Sequence, residues 1–223
     1  MTKAALKKYK RTKGLMVLLT ISFLVAFYII YQSGTKLPIL GPKDFNPELV
    51  DNSLQQMEKQ HVVADFKLIN HNGETVTQLD YENKIYVTDF FFTRCPSICP
   101  IMSNNMEKLQ EAFLNNDDVM FLSMSVTPEM DNVPVLKKYA DRHGVIDSKW
   151  NITTGDKKHI YNLARKSYFA AVDYGDGGLQ DFIHTPNFVL VDKEKRIRGV
   201  YDGTVDEDIL RLTNDIKVLA NKP

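Results

Sequence analysis

The stretch Lys84–Pro100, KIYVTDFFFTRCPSICP, places an almost continuous apolar run immediately before two cysteines and a proline. The run Lys84–Thr93 predicts a strand that is buried on both faces of a sheet. Pro100 suits the first position of a helix, where the N–H that proline lacks would have no partner. We therefore predict a buried strand, a loop that carries Cys95, and a helix with Cys99 at its N-cap.

The rest of the sequence predicts an alternation of strands and helices around this unit. A hairpin precedes it, and further helices, a second buried strand and a second hairpin follow it. The predicted strands are Val62–Asn70, Thr75–Leu79, Lys84–Thr93, Val119–Val126, Asn187–Asp192 and Arg196–Tyr201, and the predicted helices are Pro100–Leu114, Pro134–His143, Lys157–Tyr168 and Asp206–Ala220. This order is that of the thioredoxin fold with an N-terminal β-hairpin extension, so we predict a three-layer α/β domain over residues 60–223.

The N-terminal region predicts a membrane anchor. Residues 14–31 carry no charge, and their length approaches the roughly 20 residues that cross a bilayer. Six of the 28 Lys and Arg residues precede residue 14, so residues 1–13 are predicted to stay in the cytoplasm. A cleaved signal peptide is the alternative, but its apolar region is usually shorter and ends in small residues. We predict one transmembrane helix over residues 14–31, followed by a linker over 32–59. The domain is predicted to lie in the periplasm or another extracytoplasmic space, and the membrane to be a bacterial inner membrane.

The charge of the remaining chain excludes one class of partner. All 28 Asp and Glu residues follow the apolar run, so the body of the chain carries a net charge of about −6. A nucleic-acid surface needs a basic stripe that meets the phosphates. We therefore expect no nucleic acid as a partner.

Cys95 and Cys99 are the only cysteines, and a disulfide between residues so close would stabilise the fold little. The start of a helix and the neighbouring Arg94 favour the thiolate, the form that attacks disulfides and binds metals. A buried, inert pair is the alternative. Three intervening residues leave room for a soft ion such as Cu(I) or Zn(II), whereas thiol–disulfide exchange is typical of pairs separated by two residues.

A third ligand is needed to complete such a site, and His184 is the candidate. It stands two residues before Pro186, in a loop that enters a predicted strand. In thioredoxin-like folds a proline at this place, often cis, lies against the cysteine loop, so the imidazole could meet both sulfurs. The remaining histidines are predicted to be surface residues: His61, His71, His143 and His159.

Around these residues the sequence resembles the Sco family, membrane-anchored copper proteins that help to build the binuclear copper site of cytochrome c oxidase. The likeness covers about residues 60–220, and its specific element is FFFTRCPSICP, a T-x-C-P-x-x-C-P pattern, together with His184 about 85 residues further on. Supporting stretches are Ser125–Glu129, Leu136–Ala140, and Trp150 followed by Thr154-Gly155. The resemblance implies that Cys95, Cys99 and His184 bind copper as Cu(I), and also as Cu(II).

The sequence departs from the family pattern at two positions. Ile183 and Thr127 stand where the family usually has aspartate, and Asp181 is a candidate substitute that would orient the imidazole. These departures concern the tuning of the site more than metal binding itself. Met102 and Met106 share a helix face with apolar residues, which favours a place in the core over a role as copper ligands.

Three functions are compatible with this sequence. The first is delivery of copper to cytochrome c oxidase subunit II, which requires a copper donor. The second is a thiol–disulfide oxidoreductase that keeps the cysteines of the target reduced, which requires a thiol reductant. The third, a peroxidase, is disfavoured because Thr93 and Cys95 are not in the T-x-x-C arrangement of peroxiredoxins. The first two functions do not require catalysis in the ordinary sense.

Overall fold

A computed structural model describes residues 13–14, 16–28, 36–50, 61–171 and 182–221. The chain divides into two units, Met1–Lys36 and Leu37–Pro223. In the first unit, residues 13–14 and 16–28 are helical, and the large apolar side chains of 16–28 are exposed. Within the described residues, no helix combines the length and the apolar character that crossing a membrane requires. The predicted anchor and the basic segment before it lie partly outside those residues.

The second unit is built on a seven-stranded mixed sheet. The strands are β1 (Lys67–Asn70), β2 (Thr75–Thr77), β3 (Ile85–Phe91), β4 (Val119–Ser125), β5 (Trp150–Thr154), β6 (Asn187–Val191) and β7 (Ile197–Asp202). Their order is β2-β1-β5-β4-β3-β6-β7, in which β3, β4 and β5 are parallel and every other pairing is antiparallel. The central place of β3 explains why all seven of its residues are buried, as the apolar run predicts.

Helices cover both faces of this sheet. They are α1 (Ile98–Ala112), α2 (Val133–Arg142), α3 (Lys157–Asn162) with a π-helix that continues it (Leu163–Ser167), and α4 (Asp206–Ala220). On β3, Val87 and Phe91 belong to the cluster that α1, α2 and α4 complete, whereas Tyr86 and Phe90 belong to the cluster on the side of α3. The predicted thioredoxin-like α/β fold is therefore confirmed.

One central strand, β5, is absent from the sequence prediction. All five of its residues are buried, but three of them are polar, which conceals the apolar pattern of a strand. Two of these polar side chains have partners inside the protein, since Asn151 donates to the Tyr81 hydroxyl and Thr153 donates to the Ser123 carbonyl. The buried hydroxyl of Thr154 has no hydrogen-bond partner among the described residues. Because β5 joins the parallel strands to β1, it is what makes the N-terminal hairpin part of the main sheet.

Other differences concern the ends of elements. The first predicted strand is shortened to β1, and the second ends in a 3-10 helix, Gln78–Tyr81. The helix after the cysteine loop begins at Ile98, two residues before the proline that was expected to start it. Pro100 still costs no hydrogen bond there, because the first four N–H groups of a helix have no partner within it.

Part of the segment that was expected to act as a linker belongs to the second unit. Residues Pro42–Asp44 and Pro47–Leu49 form short 3-10 helices, and Val50 is buried. The Arg198 side chain on β7 donates to the Pro38 carbonyl at 2.7 Å and also to the Leu37 carbonyl. These contacts make the chain from Leu37 to Val50 a part of the compact body.

Candidate metal centre

The topology of the sheet brings His184 to the cysteines. Cys95 and Cys99 follow the C-terminal end of β3, in the loop and first turn that lead into α1. Strand β6 runs antiparallel to β3, with Thr88 opposite Val189, so the beginning of β6 lies beside the end of β3. His184, three residues before β6, therefore reaches the edge of the sheet where the cysteine loop lies.

The distances show that one ion could contact both the histidine and the cysteine loop. The Cys95 sulfur lies 3.9 Å from Nε2 of His184. Two ligands that hold an ion at about 2.0–2.3 Å, at trigonal angles, are roughly 3.8 Å apart. The expected proximity of the imidazole to the cysteine loop is thus present in the structure.

The three side chains differ in their access to solvent. The Cys95 side chain is 6% exposed and Cys99 is 2% exposed, whereas His184 is exposed. Both cysteines are free thiols. Among the described residues, no three His, Cys, Asp or Glu side chains are already closed around one point as a metal site. Three-coordinate binding by this set therefore requires the three side chains to move closer together around the ion.

The start of α1 differs from the expected arrangement, because Cys99 is not the N-cap. Ser97 occupies that position, and its side chain makes no capping hydrogen bond. The Cys95 sulfur takes over this role by accepting the backbone N–H of Cys99 at 3.4 Å. A thiolate is favoured at this place, because the N–H groups at the beginning of a helix carry partial positive charge.

The two thiols have opposite shifts in acidity. Partial burial acts to raise the pKa of Cys95, but hydrogen bonds from the backbone N–H groups of Cys99 and Ser97 and from the His184 side chain outweigh it, so the pKa falls to about 6. Burial raises the pKa of Cys99 to about 12, against a smaller lowering by the Phe92 backbone. The negative charges of Cys95 and Asp89 add to this increase. Cys95 is therefore the thiolate at neutral pH and Cys99 is the thiol.

Two aromatic residues that the sequence analysis did not identify hold the imidazole. The ring of Phe182 is nearly parallel to that of His184, at an interplanar angle of 17° and a centroid distance of 6.3 Å. Phe92 lies beside both rings: its ring centroid is 5.1 Å from that of Phe182 and 6.0 Å from that of His184. The spacing of Phe182, two residues before the histidine, is the only signal in the sequence that could have identified it.

The structure also places the other residues singled out in the sequence. Met102 and Met106 are 0% and 1% exposed and lie in the core beside α1, which confirms their prediction as core residues. The surface prediction for His71 is wrong, because this side chain is 1% exposed and Nε2 contacts Asp147 Oδ1 at 2.9 Å. Arg94 is exposed, and its guanidinium contacts Met130 Sδ at 3.7 Å.

The structure explains one of the two departures from the family pattern, the isoleucine at position 183. Ile183 is 3% exposed and belongs to the core cluster on the side of α3, so its side chain points away from solvent. The apolar residue at this position therefore adds to the packing of the histidine loop. Asp181, the candidate substitute, lies outside the described residues. The backbone before Pro186 is trans, since no cis peptide bond occurs among the residues that the structure describes.

Comparisons with known proteins identify a family model and relatives that match most of this chain. A family model described as SCO1/SenC matches residues 54–221. A protein of Bacillus subtilis named SCO1 protein homolog is 32% identical over 157 residues, which cover 70% of this chain and 81% of the relative.

Two solved structures have the same fold. BsSco, described as a member of the Sco family of cytochrome c oxidase assembly proteins, is 30% identical with a TM-score of 0.62, over 73% of this chain and 95% of that one. Arabidopsis thaliana ScoI, solved with copper bound, is 25% identical with a TM-score of 0.56, over 72% of this chain and 99% of that one.

Proposed function

This chain belongs to the SCO1/SenC family, and we propose that it binds copper through Cys95, Cys99 and His184 and delivers it to the binuclear copper site of cytochrome c oxidase subunit II. The observation that carries the proposal is the 3.9 Å separation between the Cys95 sulfur and His184 Nε2, across 89 residues of sequence. Two sulfurs and one imidazole form a donor set that favours Cu(I). The same set is suited to Cu(II) as a second state.

The exposure of the three side chains supports delivery rather than permanent storage. His184 is exposed and Cys95 lies just below the surface, so a target thiolate or imidazole can approach an ion from the side of His184. Cys99, the deeper ligand, is then the last to release the ion. Transfer proceeds by exchange of ligands one at a time, with no change in the oxidation state of the ion. Copper first has to reach the site from a donor protein or a small copper carrier.

We further propose that residues 14–31 anchor the chain in a membrane, with residues 1–13 in the cytoplasm and the folded domain in the periplasm or another extracytoplasmic space. The support is the uncharged run of 18 residues and the six Lys and Arg residues that precede residue 14. A reporter fused after residue 223 tests this: alkaline phosphatase should be active there, and β-galactosidase should not. The opposite pattern would contradict the orientation.

Titration of the reduced full chain with Cu(I), in competition with a chromophoric chelator, tests the copper proposal. We expect one ion per chain, and His184→Ala should weaken binding by at least about 10- to 100-fold, because the loss of a ligand costs no less than the loss of a group that only orients one. His159→Ala is the matched control, since this histidine accepts a backbone N–H from Lys67 far from the cysteine loop. Equal affinities of wild type and His184→Ala would refute the three-ligand site.

The opposite acidities of the two thiols favour a second candidate function, thiol–disulfide exchange. The Cys95 thiolate would attack a disulfide of the target, form a mixed disulfide and release one target thiolate. Cys99 would then attack Cys95, release the second target thiol and close the Cys95–Cys99 disulfide, which a dithiol reductant has to open again. The oxidase activity of cells that carry His184→Ala or Cys95→Ala separates the two functions. Copper handling needs His184 as a ligand, so both variants should lose activity equally, whereas for thiol exchange the histidine only adds to the backbone hydrogen bonds that lower the pKa of Cys95, so His184→Ala should keep activity that Cys95→Ala loses.

A further inference from the structure

Asp131, between β4 and α2, is a fully buried carboxylate that accepts four hydrogen bonds. Thr93 donates two of them, from its backbone N–H at 3.1 Å and from its hydroxyl at 2.5 Å. The hydroxyls of Ser125 and Thr127 donate the other two, at 2.6 and 3.0 Å. The carboxylate therefore joins the loop that leaves β3 to the loop that leaves β4.

The chemistry of the four donors makes this contact a directional one. All four are neutral groups, so directed hydrogen bonds rather than an opposite charge satisfy the carboxylate. A buried carboxylate is costly unless such bonds are complete. A fully bonded carboxylate restricts the positions of its donors more closely than an apolar side chain of the same volume does. The most strongly restricted donor residue is Thr93, because it supplies two of the bonds.

Thr93 stands in the turn that sets the direction of Cys95. The backbone N–H of Cys95 donates to the Phe92 carbonyl at 3.2 Å, which closes a turn with Thr93 and Arg94 at its centre. Asp131 holds the first of these central residues, and the preceding residue, Met130, contacts the side chain of the second at 3.7 Å. Met130 and Asp131 therefore contact both central residues of the turn, Arg94 and Thr93.

We propose that Asp131 is a positioning residue that, by holding Thr93, fixes the Cys95 sulfur beside His184 and the start of α1, where Cys99 lies. The turn would otherwise be free to move the sulfur, and the three donors would have to be ordered when an ion binds. The meaning of this role for copper rests on the proposed function. The geometric claim about Cys95 and Cys99 holds for any thiophilic ligand.

Phenylarsine oxide tests the geometric claim without copper. It is a neutral arsenic(III) compound that forms one As–S bond to each of two thiols and releases its oxygen as water, so its affinity reports the relative position of the two sulfurs. We expect Asp131→Asn to weaken binding of both phenylarsine oxide and Cu(I) to the reduced full chain about tenfold, which corresponds to about 1.4 kcal/mol. Because the arsenic reagent is uncharged, its response excludes a simple loss of attraction between the carboxylate and a cation.

Two single-hydroxyl variants supply matched controls. Thr93→Val removes one donor on the side of Cys95, and Thr127→Val removes one donor to the same carboxylate on the side of β4. We expect Thr93→Val to weaken phenylarsine oxide binding about threefold and Thr127→Val to leave it within twofold of wild type. Far-ultraviolet circular dichroism shows whether Asp131→Asn folds. If it does not, the comparison of Thr93→Val with Thr127→Val alone tests the positioning role.

The outcomes separate the two proposals. The positioning role would be overturned if Asp131→Asn and Thr93→Val both bound phenylarsine oxide as tightly as the wild type. If Asp131→Asn does not fold, the same result for Thr93→Val alone would overturn it. Equal losses in Thr93→Val and Thr127→Val would overturn it too, since the effect would then follow the carboxylate and not the turn. A wild-type chain that binds phenylarsine oxide but not Cu(I) would refute the copper function and leave the positioning role supported.

Discussion

Asp89 on β3 and Ser123 on β4 lie directly opposite each other in the parallel pair, and the serine hydroxyl donates to the carboxyl group at 2.5 Å. Asp89 is 2% exposed, in the face of the sheet that α1 covers. Burial raises the pKa of this carboxyl group to about 7, although the Ser123 hydrogen bond lowers it somewhat. The protein therefore carries, inside its central strand, an acid that titrates near neutral pH.

The raised pKa of Asp89 predicts that stability falls as pH rises from about 4 to about 7. In that window the folded chain keeps a proton that the unfolded chain has lost, so the free energy of unfolding decreases with pH and levels off above the folded pKa. Asp89→Asn cannot ionise, so between pH 5 and 8 the wild type should lose about 2–3 kcal/mol more than the variant. Urea unfolding of the reduced, metal-free chain at the two pH values measures this difference. Parallel pH profiles would contradict the assignment.

Alkylation should distinguish the two thiols. Because hydrogen bonds lower the pKa of Cys95 to about 6 and burial raises that of Cys99 to about 12, iodoacetamide at pH 7 should modify Cys95 first. The rate at Cys95 should rise with a midpoint near pH 6, as measured by mass spectrometry of the modified peptide. In Cys95→Ser, the remaining thiol should stay slow at neutral pH. Faster labelling of Cys99 would show that the acidities are reversed.

The ring of Phe182 should affect copper binding without affecting the fold. Its side chain is 53% exposed, so Phe182→Ala should change the free energy of unfolding by about 0.5 kcal/mol or less. Because this ring stacks on His184, Cu(I) affinity should decrease roughly 3- to 10-fold, toward the lower end of effects seen for groups that orient a ligand. Leu210→Ala, which removes another exposed apolar side chain at 64% exposure, should leave the affinity unchanged. A similar affinity for both variants would assign no orienting role to the ring.

The Arg198 side chain should contribute strongly to stability. It is 5% exposed, pairs with the buried Asp192 at 2.8 Å, and holds the carbonyls of Leu37 and Pro38. Arg198→Ala should therefore cost about 2–3 kcal/mol in urea unfolding, less than the about 3–5 kcal/mol expected when a buried charge loses its partner, because Arg196 still pairs with Asp192 at 2.9 Å. It should also increase protease cleavage within residues 36–50. Lys195→Ala is the control: its ion pair with Asp65 is at the surface, so the loss should be at most about 1 kcal/mol.

The elements that were predicted well are those whose pattern is set by a single environment. Strand β3 is buried on both faces and therefore uniformly apolar, and α4 has one buried stripe and acidic residues in its first turn. Strand β5 was missed because it buries polar side chains, and the partners of Asn151 and Thr153 lie far away in the sequence, where a local pattern does not show them. The same holds for His71, whose partner Asp147 is 76 residues away.

The candidate site was predictable to the extent that its residues have characteristic chemistry. Two cysteines four positions apart and a histidine before a strand identify themselves by residue type. The groups that hold them do not: Asp131 acts through Thr93 across 38 residues, and Phe92 meets Phe182 across the sheet edge. The first contact depends on the parallel pairing of β4 with β3 and the second on the antiparallel pairing of β6 with β3, and the sequence leaves both pairings open.

The hydrogen bond from the Cys99 amide to the Cys95 sulfur has a further consequence. Oxidation, alkylation or coordination would draw electron density from that sulfur and weaken the bond. We expect the Cys99 amide proton then to exchange with solvent faster and its resonance to move. One backbone position thus becomes a built-in reporter of what the sulfur has bound.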